Sequence, residues 1–304
     1  MIIILFFLLL AAAAYSIHSA VKYTRMISHI FLSLVYRPLP ELFSSSRGEK
    51  INILDSADKE IETLFVEKKD SSFLAIFCTE SGAGKESWEK YAYFLPAKGF
   101  SILSMDFKNK EDEEAQFLSQ WPTQDDVNQV LTVVRWAKRA IRPDVRIVLF
   151  GVSKGADIAL GASFYDSSIK AVIADGLFSM KEIFRGYIRK WAPILVKPNL
   201  FGEKYPDWVV CLFTDLGFWY SQRKSLKKFI DVEKFLSGRH APLLMIHGTE
   251  DDYVPVSHQK FLEKIDKQKS SDRLVIQDAK HNEAVILAKE IYEQKVMGFL
   301  GANL

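Results

Sequence analysis

The stretch LFGVSKGADIAL, residues 149–160, decides the fold. Before it come Val145, Ile147, Val148, Leu149 and Phe150, a short run rich in β-branched residues. Within and after it, Ala156, Ile158, Ala159, Leu160 and Ala162 recur at helical spacing. A strand gives way to a helix within a few residues, and Ser153 stands at the turn between Gly151 and Gly155. A turn that tight holds a hydroxyl out at the edge of a sheet, the strand–turn–helix form of G-x-S-x-G. The glycines have a steric task, because bulky neighbours of a strained turn would strike adjacent strands. The helix starting at Lys154 aims its first amides and positive dipole end at the serine.

The same alternation runs along most of the chain. Strands are predicted at Glu62–Val66, Phe73–Cys78, Ser101–Phe107, Val145–Phe150, Ala171–Asp175, Leu243–Ile246 and Leu274–Gln277. Helical periodicity fills Trp88–Ala97, Asp125–Ala140, Lys154–Phe164, Gln259–Lys267 and Asn282–Phe299. Short apolar strands alternating with helices imply an α/β fold, a mostly parallel sheet covered on both faces. Ligands of such sheets sit beyond the carboxyl ends of the strands. One gap, Asp175 to Leu243, is too long for a simple crossover. Its aromatic-rich, helical sequence, punctuated by Pro193, Pro198 and Pro206, predicts a helical insertion over the strand ends.

A serine nucleophile needs a base, and the base an orienting acid. Of six histidines, His18 and His29 lie near the N-terminus, His240 precedes a strand, and His247 and His258 flank a loop. Only His281 follows a late strand and opens the final helix, where the chain order Ser…Asp…His requires it. A lone histidine at a helix start is otherwise a capping or surface residue. The acid is sought in LLMIHGTEDDYVPVSHQ, where Glu250, Asp251 and Asp252 crowd the turn after a strand. Any of the three fits, and the plain alternative is an acidic turn that caps the next helix.

At this point a resemblance settles the choice. GVSKGADIAL, AVIADGLFSM, LLMIHGTEDDYVP and AKHNEA resemble the α/β-hydrolase superfamily over about residues 60 to 300. They are most similar to its membrane-associated serine hydrolases, the lysophospholipase-like and serine-peptidase-like enzymes. The match H-G-x-x-D-x-x-V-P falls on His247, Gly248, Asp251, Val254 and Pro255. The resemblance thus implies Ser153 as nucleophile, His281 as base and Asp251 as acid, with His247 structural; Asp175, at the end of an earlier strand, is a fallback acid because triad geometry can be met from different chain positions. It also implies two oxyanion donors, the Lys154 amide and one from the loop after an early strand. That loop reads FCTESGAGKES, with Thr79 and Glu80 where His-Gly is usual, and the second donor is placed at Glu80 or Ser81. Backbone amides do this work, so the exchange is tolerable unless the glutamate side chain turns toward the oxyanion. The Lys154 side chain is expected to be solvated.

Other chemistries fit less well. Gly84-Lys85 hints at a P-loop, but Thr79 and Glu86 break the pattern, so no nucleotide is expected. Net charge is +2 with dispersed basic residues, which offers no field for nucleic acid. Cys78 and Cys211 lie in apolar runs without metal-ligand spacing and read as small hydrophobes. No metal or organic cofactor is implied.

The N-terminus differs in kind. MIIILFFLLLAAAAYSIHSAV is nearly continuous apolar sequence, about the 20 residues that span a bilayer as a helix. Secretory signals carry a basic n-region, and no Lys or Arg precedes this run. Lys22, Arg25 and Arg37 follow it, which places the N-terminus outside and the rest in the cytoplasm. Ile27, Ile30, Phe31, Leu34 and Val35 then repeat at helical spacing, ready to lie on the membrane or to pack on the domain.

The expected organisation is a transmembrane anchor over 1–22 and a juxtamembrane amphipathic segment and linker over 23–59. An α/β-hydrolase core in two parts follows, 60–178 and 241–304, around a helical cap insertion at 179–240. The expected activity is hydrolysis of a carboxylic ester, a small acyl ester or a lipid, by a single-pass membrane protein. The same residues also suit a peptidase, a thioesterase or an acyltransferase. A catalytically inactive, membrane-tethered binding protein would keep the fold without the chemistry.

Overall fold

Five short runs whose side chains are nearly all buried form the centre of one eight-stranded sheet. The computed structural model describes residues 2–33, 47–105, 107, 120–197, 199, 201–266 and 271–304. Leu34, Val35, Arg37, Pro198 and Lys267, used above, lie outside the described residues. The strands are β1 (Glu49–Leu54), β2 (Glu60–Val66), β3 (Phe73–Cys78), β4 (Phe100–Met105), β5 (Arg146–Val152), β6 (Ala171–Asp175), β7 (Leu243–Gly248) and β8 (Ser271–Ile276). Their order is β1-β2-β4-β3-β5-β6-β7-β8, with β1–β2 and β2–β4 antiparallel and the rest parallel.

The helices are α1 (Ile2–Ser33), α2 (Trp88–Tyr91), α3 (Gln124–Ala140), α4 (Lys154–Tyr165), α5 (Met180–Leu195), α6 (Asp207–Ser225), α7 (Val232–Gly238), α8 (Val256–Ile265), α9 (Ala284–Leu287) and α10 (Lys289–Asn303). Side chains alternate across a strand, so Phe77, Phe150, Ile173 and Ile246 share one face, buried with Trp88, Tyr292 and Phe299. On the other face α4 packs on β5 and β6, and α3 and α7 pack on α4. The α3 N-terminus is fixed by a capping box, Thr123 with Asp126.

The chain divides into two compact units, the sheet with its helices and a helical unit made of α1 with residues 181–227. In the helical unit α1 packs on α6. Gly217 leaves room for Ile27, the Ser221 hydroxyl donates to that of Ser28 at 2.8 Å, and the Phe31 ring meets those of Phe184 and Phe218 at 4.1 and 4.9 Å. α1 is long and apolar enough to cross a membrane, and every residue from Ile2 to His18 is exposed.

Three expected boundaries change. The 23–59 segment is not a plain linker, since α1 continues unbroken to Ser33 and β1 joins the sheet. The insertion shrinks from 179–240 to 181–227, because α7 packs with α4 on the sheet. The helix expected over Trp88–Ala97 is a short α2 and a 3₁₀ turn at Pro96–Lys98, where proline interrupts it.

Candidate active site

The β5–α4 turn is as tight as its glycines suggest. Ser153 takes φ 50° and ψ −118°, a strained conformation for a residue with a Cβ. A Cβ on Gly151 would lie 2.2 Å from the Gly155 carbonyl oxygen, and one on Gly155 would lie 2.0 Å from that of Cys78. The strain is held in place by the Ser153 amide, which donates to the Asp175 carbonyl at 2.7 Å.

The structure brings Ser153, His281 and Asp251 together. His281 Nε2 lies 2.9 Å from Ser153 Oγ, and His281 Nδ1 lies 2.7 Å from Asp251 Oδ2. A carboxylate only accepts, so Nδ1 donates and Nε2 is left to accept the serine proton. Asp251 is held in turn, its Oδ1 accepting from the amides of Tyr253 and Val254 at 2.9 and 2.7 Å. The imidazole and the carboxylate are both shielded from water, at 5% and 2% exposure. His281 lies on the loop before α9 rather than inside a helix, in the space left by Gly176. That glycine, at φ +75°, would carry any Cβ to 3.2 Å from His281 Cε1.

Asp175 is not joined to His281. It ends β6 and accepts from the Tyr292 hydroxyl at 2.9 Å. Burial pushes its carboxyl up to about 7, against the pull of the Tyr292 hydroxyl and His281, with Asp251 and Glu80 adding to the rise. Glu250 and Asp252, the other acids of the turn, form no part of this chain of bonds.

Around Ser153, α4 begins with the Ala156 and Asp157 amides donating to the Ser153 carbonyl at 2.9 and 3.4 Å. The Lys154 amide stands ahead of these first intrahelical bonds. Glu80 and Ser81 follow β3, just past the Cys78 and Thr79 carbonyls, which leave no room for a Cβ on Gly155. Glu80 turns its carboxyl away to the hydroxyls of Ser87 and Tyr91 at 3.0 and 3.2 Å, and burial raises its pKa.

The Lys154 side chain corrects the sequence reading. It is buried, not solvated. Its Nζ lies 3.4 Å from Asp126 Oδ2 and faces the Phe107 ring, pointing to the start of α3 and away from the elbow's chemistry. Asp126 lies far away in sequence, so nothing local betrayed the pair. His247 is structural, donating from Nε2 to the Leu177 carbonyl at 3.0 Å, and burial lowers its pKa to about 4. His258 is likewise buried; its Nε2 accepts from the Ser179 amide at 2.6 Å, and burial lowers its pKa to about 3. Cys78 is buried and its thiol is pushed up by burial, whereas Cys211 is partly exposed.

Sequence reasoning missed Gly176, Tyr292 and the Tyr91–Glu80 contact. Only Gly176 left a signal, a glycine placed directly after the β6 run AVIAD.

No protein-family model matches the chain, and no curated protein matches it. Solved structures do. The Pyrococcus furiosus esterase Pf2001 superposes with a TM-score of 0.63 at 18% identity, over 88% of this chain and 96% of that one. Est1E from Butyrivibrio proteoclasticus gives 0.55 at 18% identity, over 83% and 99%. An acylaminoacyl peptidase in complex with a chloromethyl ketone gives 0.57 at 16% identity, over 84% of this chain and 41% of that one. At such identities the likeness is one of fold: the chain has the α/β-hydrolase fold.

Proposed function

We propose that the protein is a membrane-anchored serine hydrolase that cleaves a carboxylic ester, with Ser153 as nucleophile, His281 as base and Asp251 as orienting acid. One observation carries the reading: the hydrogen-bonded chain Ser153–His281–Asp251 at 2.9 and 2.7 Å, at the apex of a strained turn. Ser153 Oγ attacks the ester carbonyl as its proton passes to His281 Nε2, and the carbonyl electrons move onto oxygen. The Lys154 amide and one from Glu80 or Ser81 receive that charge. Collapse expels the alcohol, which takes the proton from His281. Water then gives a proton to His281 and attacks the acyl-enzyme. The second collapse frees the acid and returns the proton to Ser153.

The ester reading is supported by the fold neighbours that are themselves esterases. The peptidase neighbour keeps amide cleavage as a second reading. Anchoring rests on α1, whose exposed apolar residues are long enough to cross a bilayer and are followed by Lys22 and Arg25. These flanks support a cytoplasmic position for the sheet under the positive-inside rule.

The test is a fluorophosphonate probe on the full-length protein. Labelling is expected, lost in Ser153→Ala, together with turnover of an ester in preference to the amide of the same acyl group. A folded wild-type protein that takes no label sinks the reading in favour of an inactive, tethered binding protein.

A further inference from the structure

The helical unit forms a half-open cleft of about 350 Å³ lined by α1, α5, α6 and residues between α5 and α6 such as Lys197 and Phe201. Its volume falls among small-molecule sites, ~300–1,000 Å³. On α1 it is lined by Tyr15, Ser19, Tyr23, Met26, Ile27 and Ile30. These recur at three, four or seven residues, so they form one stripe. The stripe covers 15 residues of rise at 1.5 Å each, a length of about 22 Å. Opposite stand Phe184, Trp191 and Leu195 of α5 and Phe213 of α6.

The polar atoms at this site are turned to one another. Tyr23 Oη accepts from the Lys197 amide at 3.0 Å, and both Tyr15 and Tyr23 hydroxyls reach the Lys197 carbonyl at 3.4 Å. Ser16 donates to the Ala12 carbonyl at 2.8 Å. What remains for a ligand is hydrocarbon wall. An apolar cleft of this size leaves its walls short of dispersion partners, which makes it a receptor for an apolar group.

The site's position identifies that group. Its stripe begins at Tyr15 and Ser19, inside the run from Ile2 to Val21 that is long enough to span a bilayer, and continues past Lys22 to Ile30. It therefore leads from bilayer depth to a level above the membrane along a single helix. A chain could slide from lipid into protein without crossing water.

We propose that the helical unit binds one unbranched hydrocarbon chain of a membrane lipid, with α1 serving both as anchor and as one wall of the site. This rests on the anchoring part of the reading above, and it adds the ligand's class. The chain belongs either to an acyl ester awaiting cleavage or to a resident lipid. Both present the same chemistry to the cavity.

The experiment uses full-length Ser153→Ala protein in phosphatidylcholine vesicles containing trace lysophosphatidylcholine with a diazirine near the chain terminus. Photolysis is followed by mapping of the adducts. Adducts are expected on the stripe and its facing residues, Met26, Ile30, Trp191 and Phe213. They should fall at least about five-fold in Ala192→Phe and in Ser19→Phe, which fill the cavity from different helices. Unlabelled straight-chain lysolipid at equal bilayer mole fraction should compete, with an optimum chain length set by packing in the cavity rather than a steady gain per methylene, because the chain already lies in hydrocarbon before it enters. A methyl-branched chain of equal length should compete poorly. Adducts confined to the exposed residues Ile3 and Phe6, or indifferent to branching, overturn the proposal even if the filled variants fail to fold. Ester turnover by wild type separates the two sources: a chain-length preference matching that of binding marks the chain as substrate, and a flat profile marks it as resident lipid. Fluorophosphonate labelling of wild type reports the hydrolase reading separately, so either reading can fail while the other stands.

Discussion

Asp251 and Asp175 both lie within electrostatic reach of His281, and their surroundings give them different tasks. Asp251 takes two loop amides on one oxygen and the imidazole on the other. Asparagine there would offer an amide proton to Nδ1 and favour the wrong tautomer. Asp251→Asn is therefore expected to lower kcat by about 10³–10⁴-fold in ester turnover, with the fold intact in circular dichroism. Asp175 is buried with one hydroxyl donor, and its carboxyl is raised to about 7. The folded state holds that proton more tightly than the unfolded chain does. Its contribution to stability is complete below the unfolded value and is lost as pH rises through about 7. Between pH 5 and pH 8, wild type should lose on the order of 2 kcal/mol more than Asp175→Asn, read from denaturant midpoints at each pH. Of the three side chains brought together, Ser153 and His281 were legible because each follows a strand end, whereas only the H-G-x-x-D-x-x-V-P match separated Asp251 from Glu250 and Asp252. The residues that tune these groups were not legible, since Tyr292 meets Asp175 across 117 residues and no local pattern records a contact of that span.

The first turn of α4 shows how much a single element must reconcile. Gly155 lets the backbone touch the end of β3, the first amides face the elbow, and the turn's one lysine crosses to the N-terminus of α3. There Asp126 Oδ2 already accepts from the Thr123 amide and hydroxyl, both at 2.8 Å. The carboxylate thus caps one helix and neutralises a cation from another, with the lysine and aspartate side chains 3% and 7% exposed. Removing one partner strands the other charge out of water, which costs more than removing both. Asp126→Asn should lose about 3 kcal/mol of stability. Adding Lys154→Met should recover at least half of it, measured as a double-mutant cycle by chemical denaturation. A double variant no better than the single would mean the ion pair contributes nothing specific. At this scale the central strands were legible because they are continuous apolar runs. β1, EKINIL, was missed because it is an edge strand with only Ile53 fully buried, so its sequence carries almost no burial signal. The insertion's far boundary was misplaced for a related reason: α7 looks like its neighbours in composition, and only its packing on α4 assigns it to the sheet.

Across the whole molecule, α1 runs unbroken through what the sequence divided at residue 22. Its first half is exposed hydrocarbon. Its second half carries the buried residues Tyr23, Thr24, Ser28 and Phe31, with Phe31 set between two rings and Ser28 bonded to α6. The helix does not stop where the apolar run does, because Lys22 and Arg25 are good helix formers and no glycine or proline intervenes before Ser33. The proposed anchor and the packed half can therefore be cut apart at a chosen residue. A protein beginning after residue 21 keeps every buried position of α1 and loses the stretch long and apolar enough to cross a bilayer. It should leave the membrane fraction on carbonate extraction, remain monodisperse on gel filtration and keep its fluorophosphonate label at Ser153. A protein beginning after residue 33 loses Phe31 and its companions as well. The faces of α5 and α6 that α1 covers would then be exposed, a newly bared apolar patch of the kind that drives association. That shorter protein should elute as aggregates or resist expression. If both truncations behave alike, soluble and monodisperse, the second half of α1 is no part of the helical unit's core, and the length of the helix serves the membrane alone.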